Sequence, residues 1–198
     1  MNLRKILPAL LVAGLFHAAT ALAQANATAT RTLELSAFGA VSGVYTGFHG
    51  GKNFGVVAGA DLGLPVWRGV RPQLEVRGLY PADHGVIDSQ KSLLGGARFD
   101  FLLNHRLRPY ADFLAGRGLM RYGINGYQFG NSIYIQTVTP VYSPGAGFDY
   151  DLSQHLSVKV DAQLQHWGGA PTQSGNVWSK VGTVGIVYRF TFGPRNLP

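Results

Sequence analysis

The side chains of this 198-residue chain that could do chemistry are charged and set two residues apart. Arg71, Glu75 and Arg77 share one parity, as do Arg98 and Asp100, and as do Lys159 and Asp161. Asp61, Asp112, Asp149 and Arg189 stand singly in similar alternating runs. Converging carboxylates could act as a general acid and base, whereas a row holding both signs in similar number points to mutual pairing. Other chemistries are excluded more directly. With no cysteine there is no disulfide framework, thiolate metal site or thiol nucleophile. His166 would need a serine and an acid to make a hydrolase, but Gly168 stands two places on and no acidic residue follows. His49, His84, His105 and His155 have no partners at metal-ligand spacing. Residues 47–52 imitate a phosphate loop, yet too few residues separate Gly47 from Gly51, and Asn53 replaces the Ser or Thr. No catalytic, metal-binding or cofactor-binding residue is assigned, and no enzymatic activity is expected.

The elements that must position these charges show period two. Over 70–80, Val70, Pro72, Leu74, Val76, Gly78 and Tyr80 alternate with Arg71, Gln73, Glu75, Arg77 and Leu79. Over 156–165, Leu156, Val158, Val160, Ala162 and Leu164 alternate with Ser157, Lys159, Asp161, Gln163 and Gln165. Successive strand side chains face opposite ways, so each run has one apolar and one polar face. Runs 54–64, 92–102 and 142–150 repeat the pattern. Runs 33–46 and 109–120 are blurred, and a β-bulge in either would explain it. Pro144 inside a strand predicts a rim or a bulge.

With 177–192 this makes eight strands of about nine to eleven residues, the length that crosses hydrocarbon when tilted. A soluble sandwich would turn its charges outward. Here they share the face opposite the apolar one, as in a barrel surrounded by lipid. Such a sheet must close, because each unpaired backbone group in lipid costs several kcal/mol. The expected fold is all-β: an eight-stranded antiparallel up-and-down transmembrane β-barrel over residues 33–192. Side chains just fill a lumen of that size. Arg71, Glu75, Arg77, Arg98, Asp100, Asp112, Asp149, Lys159, Asp161 and Arg189, with Asp61, are therefore expected to form a self-paired lumen network, the alternative being a narrow ion path. Short turns at 64–69, 103–108 and 151–155 alternate with longer segments at 47–53, 81–91, 121–139 and 167–176. Tyr45, Trp67, Tyr80, Tyr110, Tyr150, Trp167, Trp178 and Tyr188 read as interfacial girdles. Residues 133–138, in the longest loop, are expected to prolong a strand beyond the membrane.

Residues 1–23 read as a secretory signal, with Arg4 and Lys5 ahead of an apolar stretch and Ala21-Leu22-Ala23 as the cleavage pattern. The stretch is too short for a spanning helix. Residues 24–32 form a flexible lead-in and 193–198 a tail. Loss of Arg4 and Lys5 lowers the net charge from +7 to 7 − 2 = +5. Scattered basic residues suit anionic lipid headgroups and lipopolysaccharide better than nucleic acid.

Three motifs carry a family resemblance. Pro109-Tyr110 opens the fifth strand within Leu107-Arg108-Pro109-Tyr110-Ala111-Asp112-Phe113-Leu114-Ala115-Gly116. Asp161, Gln165 and Trp167 end the seventh. The closing run Thr183-Val184-Gly185-Ile186-Val187-Tyr188-Arg189-Phe190 has the form polar-x-Gly-x-x-aromatic-x-aromatic. On these the chain resembles the outer membrane protein β-barrel domain family, the small eight-stranded porin-like and OmpA-like barrels. The resemblance implies a place in the cell outer membrane among its lipid and lipopolysaccharide. It also implies insertion by the barrel assembly machinery through Thr183, Gly185, Tyr188 and Phe190, and a monomer with no cofactor. The function it implies is non-enzymatic: envelope structure with extracellular-loop binding or adhesion, or alternatively a narrow porin-like channel. The chain departs from the family pattern by running past Phe190, and Phe192 shares that parity.

Overall fold

The alternation of the sequence is realised in a computed structural model that describes residues 33–48, 51–82, 87–102, 106–123 and 125–191. The expected signal segment, lead-in and tail lie outside the described residues, as do His49, His84, His105 and Phe192. The strands are β1 (Glu34–Tyr45), β2 (Lys52–Gly63), β3 (Val70–Ala82), β4 (Ile87–Phe101), β5 (Leu107–Tyr122), β6 (Tyr127–Phe129), β7 (Ser132–Tyr134), β8 (Gln136–Asp151), β9 (Leu156–Gly168) and β10 (Asn176–Thr191). Eight close into an antiparallel barrel in the order β1-β10-β9-β8-β5-β4-β3-β2, while β6 and β7 pair as a separate hairpin. Closure runs through a continuous β1–β10 ladder from Glu34 opposite Thr191 to Tyr45 opposite Lys180. The end holding Glu34 and Thr191 is called the terminal end here; the other, where 121–139 emerges, is the loop end.

The barrel strands are 12 to 16 residues long. That exceeds the roughly nine to eleven a tilted strand needs to cross hydrocarbon. The excess comes from segments expected to be loop. β3 and β4 extend into 81–91, and β8 begins at Gln136. Val138 thus lies on a prolonged strand as expected, but Ile133 and Tyr134 belong to the separate β6–β7 hairpin.

The blurred runs contain no bulge. β1 keeps one register with both neighbours, and so does 109–120 of β5. They blur because Phe38, Val44, Leu114 and Met120 point inward and are buried, whereas glycines such as Gly39 and Gly43 point out. A register shift does occur between Ile87 and Ser89 of β4. Pro144 is at neither a rim nor a bulge. It faces outward opposite Phe113 of β5, and on its other side the ladder to β9 skips from Tyr142–His166 to Gly145–Gln163. The missing N–H is accommodated by that gap.

At the terminal end the β2–β3 link tightens to Arg68-Gly69, flanked by the Trp67–Val70 bridge. Both central residues have positive φ, 51° and 81°, as a type I′ hairpin turn requires. The outward surface between the two ends is apolar and exposed, with Val56, Leu74, Leu93, Phe113, Val184 and Ile186 among its larger side chains. A continuous apolar surface of that kind suits hydrocarbon rather than water.

Candidate functional site: a lumen in two zones

The strand periodicity places Asp61, Arg71, Glu75, Arg77, Arg98, Asp100, Asp112, Asp149, Lys159, Asp161 and Arg189 on the inward face. They gather toward the terminal end. Arg98 is the hub, with Nε 2.7 Å from Asp100 Oδ1 and Nη2 2.6 Å from Asp149 Oδ2. Its guanidinium lies 3.7 Å from the centre of the Tyr110 ring. Arg77 bridges Glu75 at 2.6 Å and Asp161 at 2.8 Å. Lys159 Nζ lies 3.7 Å from Glu75 Oε2 and 4.2 Å from the centre of the Phe38 ring. Neutral donors complete the shell. Gln73 donates to Asp100 at 2.6 Å, Gln163 donates to both oxygens of Asp112 at 3.0 and 2.9 Å, and the Tyr110 hydroxyl donates to Asp161 at 3.1 Å.

Below this layer, Glu34, Arg71, Arg108, Asp151 and Arg189 close the terminal rim. Glu34 is shared by Arg71, by Arg108 at 3.4 Å and by Arg189 at 3.0 Å; Asp151 is shared by Arg108 at 2.8 Å and Arg189 at 2.6 Å. Ions removed from water need such shared, hydrogen-bonded geometry to recover their hydration energy.

The loop-end half is built differently. Its inward positions carry no charge among the described residues. Leu94, Leu114, Met120, Val141 and Trp167 pack with Phe48, Ile87, Tyr122 and Val177 in one apolar cluster. Val44, Val57, Leu79 and Val181 pack with Phe38 and Val187 in another. Neutral polar groups thread between them: Gln90 Nε2 donates to Ser179 Oγ at 2.7 Å, and Ser179 Oγ donates to the Thr46 carbonyl at 2.7 Å. Trp167 is 0% exposed, and a Cβ at Gly118 would collide with its indole ring. The ring occupies the width of lumen that the glycine leaves.

This corrects the girdle reading for two aromatics. Tyr110 and Trp167 are lumen residues, buried at 2% and 0% exposure, whereas Tyr45, Trp67, Tyr80, Tyr150, Trp178 and Tyr188 are exposed on the outside or at the turns. The parity each shares with Asp112 or Asp161 was the signal for it. The structure also joins two of the motifs, because Tyr110 of the Pro-Tyr pair is hydrogen-bonded to Asp161. Glu34, Arg108 and Asp151 are network members that fell at strand ends or in presumed turns. Of the closing motif, Thr183 is buried in the lumen, and Gly185 abuts Ala40 so closely that a Cβ would clash. Tyr188 and Phe190 face outward with ring centres 5.0 Å apart.

His166 faces outward beside Trp178, ring centres 4.7 Å apart. Among the described residues no three His, Asp or Glu side chains converge as a metal site would.

No protein-family model matches the chain, and no curated protein matches it. Solved structures do. Neisserial surface protein A is 15% identical, the match covers 81% of this chain and 97% of that one, and the TM-score is 0.52. The attachment invasion locus protein Ail of Yersinia pestis is 17% identical over 81% of this chain and 99% of that one, with a TM-score of 0.52. The fold is that of the small eight-stranded outer-membrane barrels. The same Ail protein solved with the heparin analogue sucrose octasulfate is 14% identical over 81% and 99%, with a TM-score of 0.50. At these identities the likeness is one of architecture.

Proposed function

We propose that this protein is a non-conducting, non-enzymatic integral barrel of the outer membrane that contributes to envelope structure and makes contacts through its loop end. The observation that carries the reading is the two-zone lumen. A hydrated ion entering at the terminal end meets a layer whose charges are already paired, and beyond it an uncharged, packed layer around Trp167. The apolar outer face supports residence in lipid, and the closing Thr183–Phe190 pattern supports insertion by the barrel assembly machinery.

Planar-bilayer recording of the refolded protein tests the reading. Silence is expected from a protein whose heat-modifiable electrophoretic mobility shows a folded barrel; stable conductance steps would establish the channel alternative instead.

The contact role rests on the β6–β7 hairpin. Ile133 and Ile135 are 67% and 68% exposed, while Tyr127 anchors the hairpin against Phe48, ring centres 4.7 Å apart. Ail is described as an attachment invasion locus protein, which is a precedent for such contacts on this fold. Deleting 127–134 from a barrel that still folds is expected to reduce adhesion to host cells or matrix; unchanged adhesion and unchanged serum and bile sensitivity would remove this part of the proposal.

A further inference from the structure

The fold sorts the charges by sign. Of the 10 acidic residues, Glu34, Asp61, Glu75, Asp100, Asp112, Asp149, Asp151 and Asp161 line the lumen or its rim; among the described residues only Asp88 stands outside it, and Asp83 is not among them. Basic residues are divided otherwise. Arg71, Arg77, Arg98, Arg108, Lys159 and Arg189 point inward, whereas Lys52, Lys91, Arg117, Arg121 and Lys180 are exposed on the outer face of the strands toward the loop end. Among the described residues the net excess of positive charge is therefore carried on the barrel's outside.

Three of these cations share one ladder. On the outward face of β4 and β5, Lys91 lies opposite Leu119, and Arg117 and Arg121 flank Leu119 two residues to either side. Such diagonal neighbours are about 7–8 Å apart at the backbone, within reach of one another for long side chains. No ion pair joins any of the three to a carboxylate among the described residues, and Asp88, nearby at the β4 register shift, pairs with none of them. Three unneutralised cations repel one another unless an anion sits between them.

Their height on the wall identifies the anion. On the same face Leu93 lies opposite Arg117 and Phe113 lies two outward positions below it, both exposed lipid-facing side chains. The β3–β4 register sets Lys91 beside the girdle residue Tyr80, and the β5–β8 register sets Arg117 opposite Pro140, one outward position past the exposed Tyr142. The cations thus stand at the boundary where apolar wall gives way to loops, with an acyl-chain surface directly beneath. We infer that Lys91, Arg117 and Arg121 form a site for the phosphate groups of a phosphorylated glycolipid of the outer leaflet, of the lipopolysaccharide type, whose acyl chains lie along Leu93 and Phe113. Arginine's planar fork suits phosphate oxygens, and two arginines with a lysine can hold two phosphates at once.

The inference rests on the outer-membrane reading, and the test separates the two. The protein is refolded into phosphatidylcholine nanodiscs with trace bisphosphorylated lipid A, monophosphorylated lipid A or the dephosphorylated lipid, and retained lipid is counted by native mass spectrometry. Retention is expected to rise with phosphate number for the unaltered protein. The triple variant Lys91→Gln/Arg117→Gln/Arg121→Gln is expected to bind the bisphosphorylated lipid about 100-fold more weakly, whereas Lys52→Gln/Lys180→Gln changes it less than about twofold. Free inositol hexakisphosphate is the soluble control. Equal retention of all three lipids by the unaltered protein overturns the site even where no variant folds. So does a triple variant that loses only the soluble polyanion, or a loss centred on Lys52 and Lys180. Failure of the unaltered protein to enter the bilayer would count against the membrane reading itself.

Discussion

The two halves of the lumen solve one problem by opposite means. Toward the terminal end the space is filled by ions that must each find a partner; toward the loop end it is filled by volume. Arg98 satisfies Asp100 and Asp149 together, and its loss would leave two carboxylates buried at 1% and 2% side-chain exposure. Trp167 makes one hydrogen bond, to Gln165 Oε1 at 3.2 Å, and otherwise acts by bulk. The ionic zone ties together strands that are not neighbours in the sheet, because its pairs join β3 to β9 and β4 to β8 across the lumen. The packed zone imposes shape, matching an indole on β9 to a glycine on β5.

That contrast can be broken from either side. Arg98→Ala is expected to destabilise the barrel by about 3–5 kcal/mol, as removal of one partner from a buried ionic network does. Urea unfolding of the bilayer-inserted protein measures it, and a loss below about 1 kcal/mol would show that water solvates the zone. Trp167→Ala is expected to cost a similar 3–5 kcal/mol through its cavity. In the opposite sense, Gly118→Ala drives a methyl group into the indole and is expected to cost about 1–3 kcal/mol.

Conservative exchanges sharpen the comparison. Leu94→Met should cost less than about 1.5 kcal/mol, because the packed zone asks only for apolar volume. Arg98→Lys should cost more than that despite keeping its charge, since one ammonium cannot reproduce the forked contacts; equal losses in the two variants would erase the distinction. The smallest effect is expected at the rim. Glu34 is 20% exposed, so Glu34→Gln should cost about 1 kcal/mol or less, and high salt should diminish the difference.

The same contrast explains what the sequence made legible. Alternation of hydropathy reports a strand only where its two faces meet different solvents. In β3 and β9 charge faces inward against lipid outside, so 70–80 and 156–165 stood out. In β1 the inward Phe38 and Val44 are as apolar as the outward Val41, and in β5 Leu114 and Met120 do the same. The parity signal cancels there without any backbone irregularity. The loop-end half of the lumen was invisible for this reason, and Trp167 could be placed only by its parity with Asp161. Which arginine meets which carboxylate was beyond reach altogether, because strand stagger decides it. Nothing local indicates that Arg98 on β4 meets Asp149, 51 residues away. The rim residues Glu34 and Asp151 escaped because strand ends carry too few neighbours to establish a phase.

The closing ladder between β1 and β10 has a consequence in time. The first strand to emerge finds its second partner only when the last has been delivered, so for most of its synthesis the chain holds one edge that nothing yet made can cover. Bringing those edges together costs loop-closure entropy that no earlier contact repays. A chain interrupted before residue 176 presents two raw edges to a solvent that tolerates none. Such a fragment has no stable place to wait in the bilayer, and proteolytic removal is its expected fate. Completeness is thereby checked by the last strand itself.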